Sequence, residues 1–248
     1  MRIKMTKSEI YEFDLNGYII YRDILTRCQV NSMNQILDSH LPEDTHDGFS
    51  FLDLDPIFLE VMANKQTLNI IRTMIGDWLH LDHAYGLQMD KRTVELGHMT
   101  PNLHGGPRKD NGEHQYQWVN GQMYNGLIVV MYALEDIHPG DGGFICVPGS
   151  HKGNMDFKPQ VNSHLVVNPS FMAGDMLIFT EALIHGTTTW TSSKKRRALL
   201  YKYSPGHSTW SKMEDMVQLR ELATNKLQQD LLRLPSVEGR TPLDFSDF

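Results

Sequence analysis

The sequence predicts a mainly β fold: a double-sheet jelly roll with N-terminal helices packed on one sheet and a helix at the C-terminal end. Three observations carry that prediction. Helical periodicity is concentrated before Ile75, several strand-like runs follow at close spacing from Trp78 onward, and turns rich in glycine and proline separate those runs. A βαβ fold would instead place helices between its strands. With 248 residues the chain suits one sandwich or barrel, and residues 1–248 are read as a single domain.

Each element has its own signal. The opening TKSEIYEFDLNGYIIYRDIL combines a capping box at Thr6 and Glu9, a turn at Asn16-Gly17 and a strand from Tyr18 to Tyr21. Helical spacing recurs from Leu25 to His40 and from Pro56 to Ile75, where Ile57, Phe58, Val61, Leu68, Ile71 and Ile75 form the apolar face. The intervening HLPEDTHDGFSFLDLD reads as a surface loop. Strands are predicted over 78–89, 125–134, 143–147, 164–168, 175–181 and 197–203, between turns at 139–143, 148–149 and 173–175. In NGLIVVMYAL both alternating sets are apolar, which predicts a central strand buried on two sides. Gly97 to Gln122 is the longest unpatterned stretch and reads as a lid or binding loop. After it the chain closes in a predicted helix with a capping box at Ser211 and Glu214 and an apolar stripe of Met213, Met216, Val217, Ala223, Leu227 and Leu231.

Composition removes several functional classes. Hydrophobic residues are 40% of the chain and charged residues 21%, enough for a sizeable core. No apolar run reaches the roughly 18 residues of a membrane span, and MRIKMTKSEI lacks a signal-peptide core, so a soluble, cytoplasmic protein is expected. A net charge of −7 with dispersed cations argues against nucleic acid as a partner. Cys28 and Cys146 are too few for a disulfide framework or a four-cysteine zinc site. There is no phosphate-binding glycine loop, no GxSxG elbow and no HExxH helix. The sequence sets no oligomeric state.

Candidate chemistry starts with His104 in NLHGGP and His185 in EALIHGTTTW. Each is followed by glycine at a strand edge, where a neutral imidazole can project into a barrel mouth and bind iron, zinc or copper. Arg196 lies eleven residues after His185, and Thr187 two after it. If His185 ends one strand and Arg196 begins the next antiparallel one, the guanidinium faces the same cavity and can grip a carboxylate. Lys194 and Lys195 read as a solvated turn, with Arg196 or Arg197 pointing inward. His80-Leu81-Asp82, with His83 beside it, is a literal His-x-Asp that also reads as an ion pair on a polar strand face. Asp141, Asp175 and His151 read as turn residues and Tyr201 and Tyr203 as core.

NGYIIYRDIL, LHG, LEDIHPGDGGFICVPGSHKGN, AGDMLIFTEALIHGTTTW and RRALLYKYSPG, in this order from about residue 10 to residue 206, resemble the phytanoyl-CoA dioxygenase family of iron(II)- and 2-oxoglutarate-dependent oxygenases. The resemblance implies a double-stranded β-helix with a helical layer. It also implies iron held by a His-x-Asp pair and a distal histidine, and 2-oxoglutarate held by an arginine about eleven residues further on. Carried onto this chain, His104 and His185 are the metal ligands, Arg196 the co-substrate arginine and Thr187 a supporting hydroxyl. Gln88 is a candidate lining residue of the co-substrate pocket, and the PGSH turn at 148–151 a structural turn beside the site.

The departure is Gly106, which stands where the family's His-x-Asp has its carboxylate. Three explanations are open. Chloride or another anion fills the position, as in related halogenases; a carboxylate arrives from Asp110, Glu113 or Glu181; or iron chemistry has been lost. The corresponding functions are halogenation, oxidative hydroxylation of a small molecule with O2, and metal or ligand binding without turnover. In the first two, the 97–122 loop, with Arg108, Lys109, His114, Tyr116 and Trp118, is expected to close over the substrate.

Overall fold

The computed structural model describes residues 4–42, 45, 47–91, 101–108, 112–153, 157–212, 214–239 and 241–243. The strand-and-turn pattern builds two antiparallel sheets. The larger contains β1 (Tyr18–Tyr21), β2 (Asp47–Phe49), β3 (Leu79–Met89), β7 (Ile128–Ala133), β9 (Met176–Thr180) and β11 (Arg196–Pro205), in the order β1-β9-β7-β11-β3-β2. The smaller has the order β4-β10-β8, from β4 (Asn102–Gly105), β8 (Gly143–Cys146) and β10 (Ile184–Thr188). A separate hairpin pairs β5 (Tyr116–Val119) with β6 (Gln122–Asn125). This is the expected jelly roll.

Strand parity divides the core into two layers. From β7 and β11, Ile128, Val130, Tyr132, Leu199, Tyr201 and Tyr203 point to the helical layer of α1 (Lys7–Asn16), α2 (Arg27–His40), α3 (Pro56–Met62) and α4 (Lys65–Ile75). Their neighbours Val129, Met131, Ala133, Ala198 and Leu200 point the other way, toward Phe144 and Cys146 of the smaller sheet. Both faces of these strands are therefore buried, as NGLIVVMYAL predicts, and each large side chain so placed contributes about 1.5–3 kcal/mol. Polar tips register the helices on the sheet: the Tyr201 and Tyr203 hydroxyls donate to the Phe58 and Met62 carbonyls at 3.0 and 2.7 Å. Among the described residues no helix is long and apolar enough to cross a membrane.

Several elements differ from the sequence reading, each for a local reason. The 56–75 helix is two helices, because the Asn64 side chain accepts from the Thr67 amide and starts α4 afresh. Residues 164–168 make only an isolated bridge, Cys146 to Val167. The loop after α2 contains β2, and the 97–122 stretch contains β4 and β5. At the C-terminus there are two short helices, Glu214–Glu221 and Lys226–Leu231, in place of one. Ser211 is drawn elsewhere: its hydroxyl donates to the Asp82 carbonyl at 2.8 Å.

Asp82 explains the loss of the Ser211 cap and disposes of the His80-x-Asp82 alternative as a metal pair. It sits where the β3–β11 register shifts, opposite the Lys202/Tyr203 step. Its carboxylate accepts from the amides of Trp210 and Ser211 at 2.6 and 3.1 Å, from the Ser204 hydroxyl at 3.1 Å and from His83 Nδ1 at 2.6 Å. His80 is held between the carbonyls of Leu81 and Ser208. These groups pin the returning C-terminal segment to the barrel. Asp141, Asp175 and His151 are turn residues as expected, bonded to the His138 amide, the Met172 amide and the Asp14 carbonyl respectively.

Burial acts to raise the Asp82 pKa, but bonds from His83, Trp210 and Ser204 hold it well below the usual carboxylate range. A carboxyl depressed on folding contributes stability that is present above its unfolded pKa of about 4 and lost as pH falls toward the folded value. Asp82→Asn is expected to lower stability at pH 7 by about 1.5–3 kcal/mol. The gap from the parent should narrow below about pH 4. Urea unfolding at both pH values measures this, and an equal gap at each would contradict it.

Candidate functional site

The site begins with a glycine. β10 reads Ile-His-Gly-Thr-Thr, and a Cβ on Gly186 would lie 1.9 Å from the Asn102 carbonyl oxygen, so only glycine lets β4 come this close. The resulting register sets His185 directly opposite His104, with ring centroids 4.4 Å apart. Opposite partners in an antiparallel pair share a face. Two imidazoles distant in the chain thereby point into one hollow between the sheets.

The His185 ring is fixed on several sides. Its Nδ1 donates to the Leu183 carbonyl at 2.7 Å, which leaves the Nε2 lone pair facing outward. Phe179 and Phe144 wall it at centroid distances of 4.7 and 6.3 Å. Burial pushes its pKa down to about 4, so it is an uncharged imidazole at neutral pH. His104, nearer the mouth, has Nδ1 at 3.3 Å from Asn102 Oδ1, and burial lowers its pKa against the opposing pull of Glu181.

Glu181 completes the cluster. It lies in the turn between β9 and β10, with its amide donating to the Leu127 carbonyl at 3.0 Å. Its Oε1 is 3.8 Å from His185 Nε2, and its Oε2 accepts from Lys202 Nζ at 3.2 Å. Burial acts to raise its pKa, but the His185 ring, once protonated in acid, the Lys202 charge and the Lys202 hydrogen bond bring it down to about 2. One potential ligand atom from each of His104, Glu181 and His185 falls within 4.8 Å of the others, and among the described residues this is the group able to hold a metal ion. Two neutral nitrogens and one carboxylate on one side of an ion leave the other side open, the arrangement of non-haem iron oxygenases.

Arg196 points from the larger sheet toward the smaller one, where a Cβ on Gly143 of β8 would lie 2.9 Å from its Nε. The expectation that it begins a strand paired with β10 is corrected: β11 pairs with β3 and β7, whereas β10 pairs with β4 and β8. The guanidinium is buried. Its Nη1 and Nη2 meet thioethers, Met89 Sδ at 3.0 Å and Met131 Sδ at 3.9 Å, and its Nε has no hydrogen-bond partner. Among the described residues no carboxylate pairs with it. Burial lowers its pKa to about 10, which keeps it cationic at pH 7. Thr187 lies on the face of β10 that His185 occupies, opposite Phe144.

Gln88 is a correction. It is the register partner of Arg197, not of Arg196, and both point to the helical layer. There Gln88 Oε1 accepts from Arg197 Nε and Nη2 at 3.0 and 2.7 Å, and Arg197 continues to Asn34 and Asp38. Gln88 therefore anchors α2 and does not line the hollow that Arg196 faces. Of the loop residues, His114 reaches the site: its Nδ1 donates to the Gly106 carbonyl at 3.1 Å and its ring lies 5.4 Å from Trp210. Tyr116 turns instead to Asp14 and His151, and Trp118 sits half-exposed on the hairpin. Asp110 and Lys109 lie outside the described residues, as does the Glu113 side chain.

Gly106 has φ +90°, and a Cβ there would meet Ile184 Cγ1 at 3.1 Å. Ile184 has the opposite parity to His185, so a side chain at 106 would be aimed away from the imidazoles. Sequence reasoning missed Lys202, Tyr85 and Trp210 as neighbours of the site. Lys202 had a usable signal, since it lies six residues beyond Arg196 and so shares its strand face.

A sequence model of the phytanoyl-CoA dioxygenase (PhyH) family matches residues 13–198. No curated protein matches the chain. Among solved structures, HygX from Streptomyces hygroscopicus with iron bound is 23% identical, with a TM-score of 0.73 over 84% of this chain and 90% of that one. The complex of HygX with nickel, 2-oxoglutarate and hygromycin B is 22% identical, with a TM-score of 0.70 over the same shares. SnoK, a non-haem α-ketoglutarate-dependent carbocyclase from nogalamycin biosynthesis, is 16% identical, with a TM-score of 0.62 over 86% of this chain and 90% of that one.

Gly186→Ala is expected to force β4 away from β10 and to lower stability by about 1–3 kcal/mol, the range for overpacking a close contact. Thermal unfolding measures it; an unchanged midpoint would contradict the close approach.

Proposed function

Because the chain belongs to the phytanoyl-CoA dioxygenase family, we propose that it is an iron(II)- and 2-oxoglutarate-dependent oxygenase that hydroxylates a C–H bond of a small molecule. The observation that carries this reading is the convergence of His104, His185 and Glu181 between the sheets, with Arg196 pointing in from the larger sheet and, among the described residues, paired with no carboxylate. The residues fit both absent groups. Two neutral imidazoles and a carboxylate suit a divalent iron, and a buried cation bonded among the described residues to thioethers alone suits the far carboxylate of a keto diacid. Iron and 2-oxoglutarate in HygX are in keeping with this assignment.

His104, His185 and Glu181 would hold the metal, Arg196 would bind the distal carboxylate of 2-oxoglutarate, and Thr187 would add a hydroxyl on the same face. Iron held there would supply O2 activation, by which 2-oxoglutarate, O2 and the C–H substrate would become succinate, carbon dioxide and the alcohol. The protein contributes placement and a dry pocket. Phe144 and Phe179 shield the inner side of His185 from water, and His114 with Trp210 stands near the outer side, where the substrate enters. Hygromycin B in the HygX complex supports a polar small molecule as the substrate class.

Glu181 favours hydroxylation over the chloride reading. A halide needs the third protein ligand to be missing, whereas here a carboxylate lies 3.8 Å from His185 Nε2. Adding iron(II) and 2-oxoglutarate without oxygen is expected to give the weak visible absorption of a chelated keto acid; no band at saturating concentrations would overturn the proposal. Chloride is expected to change neither that band nor the product mass.

Two substitutions sharpen the assignment. Arg196→Ala is expected to weaken 2-oxoglutarate binding roughly ten- to a hundredfold, the loss of charge-assisted hydrogen bonds, with metal binding retained. Glu181→Ala is expected to lose metal affinity, and Gly106→Asp in that background to fail to restore it, because position 106 is aimed at Ile184. Calorimetry with cobalt(II) reads both, and rescue by Gly106→Asp would point back to the family's usual ligand position.

A further inference from the structure

We propose that Lys202 is a positioning residue that makes Glu181 a one-oxygen ligand and so keeps coordination positions open for the keto acid and O2. This inference rests on the reading of Glu181 as the third metal ligand. Lys202 follows Arg196 by six residues along β11 and faces the same hollow, opposite His83 and Val129. Its ammonium holds Oε2 of Glu181 at 3.2 Å, while Oε1 is the oxygen 3.8 Å from His185 Nε2. The two oxygens have thus been given different tasks. One is turned to the imidazoles and the other is tied back.

The surroundings make this arrangement specific. Glu181 cannot slide, because its amide is bonded to Leu127 and the Leu183 amide closes the turn on the Thr180 carbonyl at 2.9 Å. Carboxylate rotation is the freedom left, and Lys202 restrains it. The lysine is itself supported: Nζ lies 5.5 Å from the centroid of the Tyr85 ring, and the β3–β11 irregularity pinned by Asp82 falls immediately after Lys202. Both charged side chains are buried, at 9% and 5% exposure. A buried ion pair is a weak source of stability, so its presence beside a metal cluster is better explained by placement.

The chemical consequence follows from counting positions. An octahedral ion with three single-atom protein ligands keeps three positions, two for the keto acid and one for O2. If both Glu181 oxygens bind, one of these is lost. Two imidazoles, one carboxylate and a divalent ion also leave one positive charge, to which Lys202 adds a second. Together with the Arg196 cation, this field favours a dianionic co-substrate.

Lys202→Met, Lys202→Gln and Lys202→Arg in the full chain, with cobalt(II) as the probe metal, test the proposal. Lys202→Met is expected to bind cobalt(II) with an affinity within about threefold of the parent, since a repelling charge has been removed as well as a restraint. Its visible cobalt spectrum should change in intensity and position, reporting altered coordination. Its 2-oxoglutarate affinity should fall by at least about tenfold, the size typical of residues supporting metal ligands. Lys202→Arg is expected to recover most of the parent spectrum and affinity. Should Lys202→Met not fold, Lys202→Gln, which retains a donor without the charge, is expected to keep the parent spectrum but bind the dianion more weakly.

The outcomes separate the two claims. Full cobalt(II) affinity in Glu181→Ala would remove the ligand assignment on which the proposal stands. Lost affinity in Glu181→Ala, together with an unchanged cobalt spectrum and unchanged 2-oxoglutarate binding in Lys202→Met, would overturn the Lys202 role alone. An altered spectrum in a folded Lys202→Gln with normal 2-oxoglutarate affinity would do the same.

Discussion

The pairing of β4 with β10 is the constraint on which the site depends. A ladder of backbone hydrogen bonds, made possible by the missing side chain at Gly186, sets two imidazoles opposite each other to within ring-contact distance. Nothing in the primary structure brings positions 104 and 185 together; register does. A slip of one residue would turn either histidine to the other face of the smaller sheet. The Leu183 carbonyl and the two phenylalanines then determine which nitrogen is available.

Parity along β11 does comparable work on the opposite wall. Arg196, Ala198, Leu200 and Lys202 face the hollow, while Arg197, Leu199 and Tyr201 face the helices. Two adjacent arginines therefore have unrelated environments. Arg197 is saturated by Gln88, Asn34 and Asp38 and fastens the helical layer, whereas Arg196 is left with sulfur for company. Function is confined to one face of a strand whose other face is ordinary core.

Much of the fold was legible because its signals are local. The capping box at Thr6, the doubly apolar β7 and the glycine turns each depend on neighbours in the chain. What was hard to read depended on distant partners. β10 is only five residues long and interrupted by Gly186, so despite its threonines its strand character is secured by pairing with β4 and β8. The C-terminal helix breaks where the Asn225 side chain accepts from the Gln228 amide and starts a second helix, and the expected cap at Ser211 is lost to Asp82, more than a hundred residues earlier, which takes the Ser211 amide. The candidate ligands and Arg196 could be named from motif spacing, but Gln88 was misplaced because face assignment on β3 needs its register with β11. Glu181 could be named only as one of three carboxylates; among the described residues it is the one beside His185, since separation in sequence says nothing about which turn folds back over a metal.

The thioethers around Arg196 bear on how such a socket stays receptive. Sulfur is a feeble acceptor, so Met89 and Met131 shield the guanidinium without competing seriously for its protons. An aspartate there would have neutralised the cation permanently and made every incoming diacid displace an internal rival. Flexible, polarizable methionines yield instead, and the arginine remains hungry for an oxyanion in a way that a well-satisfied residue such as Arg197 is not.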